Sequence, residues 1–265
     1  MREITKDTVK LGEKIKDYQN NAFLTYTDDD SLHALEESYG TNIIPQFVKT
    51  YYEKTHRKLI VVMASHGGEE IGHFAKTFEC HDDENDRPNH HNLNIYEVMT
   101  KKYQAAIDYM SDHSDKYIVG KKFYIVFQGE SDAWNVDSDG KYKYESTDTN
   151  IGYYDVFMKV HNSLKDDLGL EYGGIVYTGQ RFDDLSREVL YNGVLGINRE
   201  QKSLITSNND LFLASSYPYS MYYSFMHDNN TDTLNCICPN DNNHIHFTSA
   251  TLSQIGMDSA ISAVN

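Results

Sequence analysis

The 265-residue chain is short of cysteine, of basic residues and of long apolar runs. It holds three cysteines, Cys80, Cys236 and Cys238. An odd number this small makes no disulfide framework, and the C-x-C pair lacks the second pair that closes a structural zinc site. The three read as reduced thiols. Lys and Arg total 24 against 40 Asp and Glu, a formal net charge of −16 with His neutral. That excludes nucleic-acid binding by bulk charge, which needs a surplus of cations to displace counterions from phosphates. A soluble, self-repelling chain is expected instead. No run approaches the roughly 18 apolar residues that span a bilayer, and the opening MREITKDTVKLGEKIKDYQ has no apolar core of a signal peptide, so neither is expected. The P-loop, the dinucleotide fingerprint, H-E-x-x-H and the G-x-S-x-G elbow are missing too. No metal and no cofactor is expected.

What is present suffices for a fold. A 39% hydrophobic and 12% aromatic content supports a core, while a mean hydropathy of −0.62 marks a polar surface. At this length one domain is as reasonable as two. Ile4, Thr8, Leu11, Ile15 and Tyr18 recur at steps of three and four, which predicts an amphipathic N-terminal helix over residues 1–20 ahead of a domain over 21–265. Further helices are expected near 45–54, 93–113, 153–168, 199–207 and 249–263. Between them lie short apolar runs, Lys58-LIVVMA-Ser65, Phe123-YIV-Phe127, Gly174-IVYT-Gly179 and Leu211-FLAS-Ser216. Runs of this kind fit strands buried on both faces. Helices alternating with such strands predict an α/β fold with a mostly parallel sheet and helices on both sides, whose ligands sit at the carboxyl ends of the strands.

Three constellations fall at such ends. Gln128-Gly129-Glu130-Ser131-Asp132 follows a strand directly: a glycine turns the chain sharply and frees an N–H, and a carboxylate beside it can orient an imidazole. A plain strand-to-loop turn with solvated acids is the competing reading. Ser65-His66-Gly67-Gly68-Glu69-Glu70-Ile71 offers paired glycines for tight packing or for oxyanion N–H groups. Asp241-Asn242-Asn243-His244-Ile245-His246-Phe247-Thr248 precedes the last helix, where a histidine can reach across strand ends as a general base. With 12 histidines in the chain, a surface role is the default for any one of them. Two His at i and i+2 in extended chain point oppositely, so at most one faces a given site. The loop from His81 to His91 carries acids and imidazoles without rigid spacing, and Tyr217 to Phe225 could stack sugar rings or simply pack.

These blocks resemble the SGNH hydrolases, closest to the carbohydrate esterases of the sialate O-acetylesterase and acetylxylan-esterase type. Phe127-Gln128-Gly129-Glu130-Ser131-Asp132-Ala133, the upstream Ser65 to Ile71 block, and Ile245-His246-Phe247-Thr248-Ser249-Ala250 with Ile255-Gly256 occur in the family's order over roughly residues 22–260. The resemblance implies a three-layer α/β/α, flavodoxin-like sandwich and removal of an O-acyl group, most simply acetyl, from a carbohydrate. It implies His246 as general base, Glu130 as the acid that orients it, Gly67 or Gly68 and Gly129 as oxyanion N–H donors, and Gln128 in the acyl pocket. His244 with Asp241 is the competing register, because Asp241-x-x-His244 spells the family's D-x-x-H literally. His246 is preferred for its longer matching context, and Asn243 then stands where the family has Asp, which favours Glu130 as the carboxylate.

One block is missing. The family's G-Q-S-N segment, bearing the nucleophilic serine, belongs on a first strand upstream of Asn21-AFLTY-Thr27, and residues 1–20 contain no serine at all. Without a nucleophile no acyl-enzyme forms. Whether the sheet lacks its first strand is left open by the same gap, as is the strand edge it would cover. Three explanations compete: the serine comes from another segment or a second chain, the chain is an inactive carbohydrate-binding or structural module of, for instance, a virion tail, or a local serine such as Ser65 or Ser131 stands in. The last is weakest. Glu130 and His246 together favour the esterase. A cytoplasmic and a virion-associated location both remain open.

Overall fold

The computed structural model of the chain describes residues 43–57, 59–62, 64, 68–77, 95–112, 114–115, 118–141, 152–179, 187–221 and 247–265. The expected helix over residues 1–20, the three cysteines and the 81–91 loop lie outside these residues. The described elements are α1 (Ile44–Thr55), a 3-10 turn (Ile71–Phe74), α2 (Ile95–Asp112), β1 (Phe123–Phe127), α3 (Asp132–Asn135), α4 (Tyr153–Leu168), β2 (Tyr172–Val176), α5 (Arg187–Ser207), β3 (Leu211–Ser215) and α6 (Ser249–Val264).

The three strands form one parallel sheet in the order β1-β2-β3, with Phe123 opposite Tyr172 and Phe127 opposite Val176. Parallel neighbours need crossovers, and α4 and α5 supply them. Side chains alternate across the sheet. Tyr124, Val126, Ile175 and Leu211 meet Val156, Phe157, Val160 and Leu164 of α4, Val194, Ile197 and Leu204 of α5 and Tyr96 of α2. On the opposite face Phe123 and Ile125 pack with Phe47 and Tyr51 of α1 and Ala260 of α6. Val176 and Ala214 meet Ile255 of α6 there. Both faces are thus covered by helices, which is why the strands read as continuous apolar runs rather than alternating ones.

β2 is fully buried beyond its first residue, whereas every residue of β1 is only half-buried. β1 is therefore an edge strand among the described residues. The run from Lys58 to Ser65, expected as a strand, joins no ladder at Leu59 to Val62 or at Ala64. Leu59 packs instead against the α1 and α6 cluster that also receives Phe123 and Ile125. The described residues of this stretch are half-buried, as an apolar run allows without strand pairing.

β2 begins two residues earlier than its apolar run suggests. Gly173 and Gly174 sit inside it because a Cβ there would lie 2.4 Å from the Tyr124 ring and 2.5 Å from Ile125 Cδ1. Large side chains of β1 cover these glycines, so the central strand is lined by its neighbours. α5 starts at Arg187 rather than near 199. Of the described residues, no helix is long and apolar enough to cross a membrane.

Candidate functional site

β1 ends at Phe127, and the next five residues form a hub at the carboxyl end of the sheet. Gly129 takes φ +131°, and a Cβ on it would lie 2.3 Å from Thr178 Oγ1 and 2.8 Å from Ile197. Only glycine fits this turn without strain or collision. The Gln128 carbonyl accepts from Thr178 Oγ1 at 2.9 Å and from Gln201 Nε2 at 3.1 Å, which ties β1 to the end of β2 and to α5. The Gln128 side chain is buried and fully used: Nε2 donates to the Glu69 carbonyl at 3.0 Å and to Asp132, and Oε1 accepts from the Tyr153 hydroxyl at 3.2 Å. Gln128 reaches an acyl group only by giving up one of these bonds.

Asp132 is 0% exposed and accepts from the Ile71 N–H at 3.1 Å on Oδ2 and 3.3 Å on Oδ1. One carboxylate thereby joins the Gln128 block to the block from Gly68 to Ile71. Gly68 is exposed with φ +80°, and its Cβ position faces open space. Behind it Glu69 pairs with His73, both buried, and Glu70 accepts from Asn135 of α3. Gly67, Ser65 and His66 lie outside the described residues.

The third block enters through Phe247. It is 8% exposed and stacks on Phe127 with ring centroids 5.9 Å apart and planes 24° from parallel. Thr248 then caps α6, its side chain accepting from the Thr251 N–H. Gly256 lets α6 close on α1, since a Cβ there would lie 2.2 Å from the Ile43 carbonyl. The residue after His246 is thus fixed against the residue before Gln128. His246, His244 and Asp241 themselves lie outside the described residues.

Glu130 is the electrostatic outlier. Its carboxyl is pushed up to about 7, first by burial and further by the charge of Asp132, against the pull of a backbone hydrogen bond. Its Oε1 is buried without a hydrogen-bond partner. A carboxyl that is half protonated near neutrality with an oxygen to spare is suited to receive a proton or a cationic ring. Ser131 begins α3 and makes no capping bond. Tyr217 and Tyr219 pack into the core, the latter edge-on to Tyr177 at 6.4 Å, so these two tyrosines of the aromatic stretch are structural.

Sequence reasoning did not single out Tyr153, Thr178, Asn198 or Gln201. They come from three elements, and their common property is convergence on Gln128 and Thr178: the Asn198 amide donates to the Thr178 carbonyl at 2.7 Å, and the Thr178 N–H donates to Gln201 at 3.0 Å. No linear spacing announces that. Among the described residues no three His, Cys, Asp or Glu side chains come together as a metal site. Searches of protein-family models and of curated proteins found no match to the chain.

Proposed function

We propose that this chain is a carbohydrate O-acyl esterase domain, acting on acetyl esters in an SGNH-type α/β/α sandwich, with its nucleophilic serine supplied from outside the recognisable blocks by another segment or a second chain. The observation that carries the reading is the Phe127–Phe247 stack. It brings Phe247, which follows His246 in the sequence, against Phe127, which precedes the Gln128-Gly129-Glu130 block, and this supports a base and an acid that work together.

In this reading His246 takes the proton from the attacking hydroxyl and returns it to the leaving sugar oxygen. Glu130 orients the imidazole, and an imidazolium beside it draws its raised carboxyl into the ionised form. Backbone N–H groups at Gly67, Gly68 or Gly129 hold the tetrahedral oxyanion. Asp132 fixes the distance between the last two sets of groups by bonding Ile71 N–H from within the Gln128 block.

The test is hydrolysis of an aryl acetate by the purified chain, alone and with candidate serine-bearing partners, alongside a serine-directed fluorophosphonate. Turnover that needs a partner, with the label on that partner, is the expected outcome. A covalent adduct on this chain refutes a serine from a second chain and assigns it to another segment of this one, and no turnover under any pairing favours the inactive module. His246→Ala is expected to lower kcat/KM by about 10³-fold or more. If His244→Ala does so instead, the base belongs to the other register.

A further inference from the structure

Two donors from different elements hold the Gln128 carbonyl, Thr178 Oγ1 at 2.9 Å and Gln201 Nε2 at 3.1 Å. The Gln201 amide has one orientation, because its Oε1 accepts the Thr178 N–H at 3.0 Å and leaves Nε2 to donate. Both side chains are 0% exposed, so water does not compete for these bonds. The carbonyl is thereby fixed toward the end of β2 and toward α5.

In a planar trans peptide the N–H lies opposite the carbonyl it follows. The Gly129 N–H is therefore turned away from β2 and α5, toward the side of β1 that has no strand beside it among the described residues. The Gly129 carbonyl is already used, accepting from Ala133 N–H at 2.9 Å. The direction in which a side chain would leave Gly129 is taken by Thr178, Ile197 and Gln201. The N–H remains, and it meets no acceptor among the described residues. Gly129 is buried, and a buried backbone N–H without an acceptor is rare in native structures. Shielded from water, such a donor acts most strongly on an oxygen that gains charge during a reaction.

We propose that Thr178 and Gln201 are positioning residues of the esterase site: by holding the Gln128 carbonyl inward they aim the Gly129 N–H at the ester oxygen and make Gly129 its oxyanion donor. The proposal rests on the esterase reading for the reaction, but the aim of the N–H is measurable without turnover. Gln128-Gly129 is the only Gln-Gly pair in the sequence. Carbon-13 in Gln carbonyls and nitrogen-15 in Gly therefore select this one amide, and the same label reads the Gln128 carbonyl. Acetamide, a neutral analogue of the acetyl ester, is titrated to about 0.5 M, because so small a ligand binds in the millimolar range or more weakly. A saturable downfield shift of the Gly129 amide proton is expected. Thr178→Val removes the hydroxyl at nearly constant shape, and Gln201→Met removes the amide. Each should move the Gln128 carbonyl carbon upfield and weaken the acetamide response, whereas Thr178→Ser should keep both as in the wild type.

On aryl acetate, with whichever partner supports turnover, Thr178→Val should lower kcat about tenfold per folded molecule with KM within about twofold, and Thr178→Ser should restore it. If Gln201→Met does not fold by circular dichroism, the Thr178→Val and Thr178→Ser pair carries the test. A Gly129 amide that ignores acetamide overturns the proposal, as does a folded Thr178→Val chain that keeps the full response or the full kcat. An amide response without hydrolysis under any pairing sinks the esterase reading and leaves the aimed N–H standing. Hydrolysis with a silent Gly129 amide does the reverse.

Discussion

Asp132 joins the Gln128 block to the block from Gly68 to Ile71. It is completely buried and takes N–H bonds from Gln128 and from Ile71, so removing its oxygens strands two buried donors at once. Each orphaned donor costs about 1–3 kcal/mol. Asp132→Ala is therefore expected to lose roughly 3–5 kcal/mol in urea denaturation, and a loss under about 1 kcal/mol would mean that the two blocks hold together without it. Asp132→Asn is the finer probe. It keeps the shape and removes the charge that helps to raise Glu130. The Glu130 carboxyl should then titrate below about 7, visible as an acidward shift of any pH-dependent activity or of its carboxyl resonance. An unmoved titration would place the whole cause in burial.

At the level of elements, most of the fold was legible in the sequence because continuous apolar runs and the three-four periodicity have one physical source each. β1, α4 and α6 fall where those patterns place them. The failures are also instructive. The first half of α5 holds Gly193 and Gly196, each costing about 1 kcal/mol in an isolated helix, which hides a helix from propensity reasoning. Both are there because the helix runs against backbone, Gly193 on the Ala133 carbonyl and Gly196 on the Asp137 carbonyl. Gly173 and Gly174 conceal the start of β2 for the same reason. Tertiary closeness leaves no local trace. The candidate site divides likewise: Gly129, Glu130 and the entry to α6 stand out in the sequence, whereas Tyr153, Thr178 and Gln201 become visible only where α4, β2 and α5 converge. The α1–α6 seam makes this testable. Gly256→Ala improves helix propensity by about 1 kcal/mol yet drives a methyl into the Ile43 carbonyl, and overpacking of this kind costs about 1–3 kcal/mol. A net fall in the denaturation midpoint is expected, larger for Gly256→Val, and a rise in midpoint would show that α1 is free to shift.

Across the whole molecule, two buried groups at opposite ends of the sheet oppose each other as pH changes. Near the amino ends of the strands, His161 of α4 is 1% exposed, with Nδ1 2.7 Å from the Tyr124 hydroxyl and Nε2 3.3 Å from Asp210, which also pairs with Lys165. Burial lowers its pKa below 6.5, against the pull of Asp210 and with the help of Lys165. The unfolded chain takes up this proton first, so the contribution of His161 is present above pH 6.5 and is lost as pH falls through its lower folded value. Glu130, at the carboxyl ends, has the opposite sign. Its folded pKa of about 7 exceeds the ordinary 4.5, so the native state holds the extra proton and stability is lost as pH rises through 7. The difference amounts to at most about 3 kcal/mol. Glu130 therefore lowers stability at the pH where an ionised carboxylate would serve catalysis, the usual relation between a strained site and its scaffold. Urea denaturation from pH 4.5 to 8 resolves the two. Glu130→Gln should flatten the decline that accompanies rising pH between 4.5 and about 7 and leave the chain more stable than the wild type at pH 8, while His161→Gln should weaken the decline on acidification and leave the other. Parallel profiles for wild type and Glu130→Gln would show that the Glu130 carboxyl is solvated as in the unfolded chain, and with that its value as the acid of the site would go.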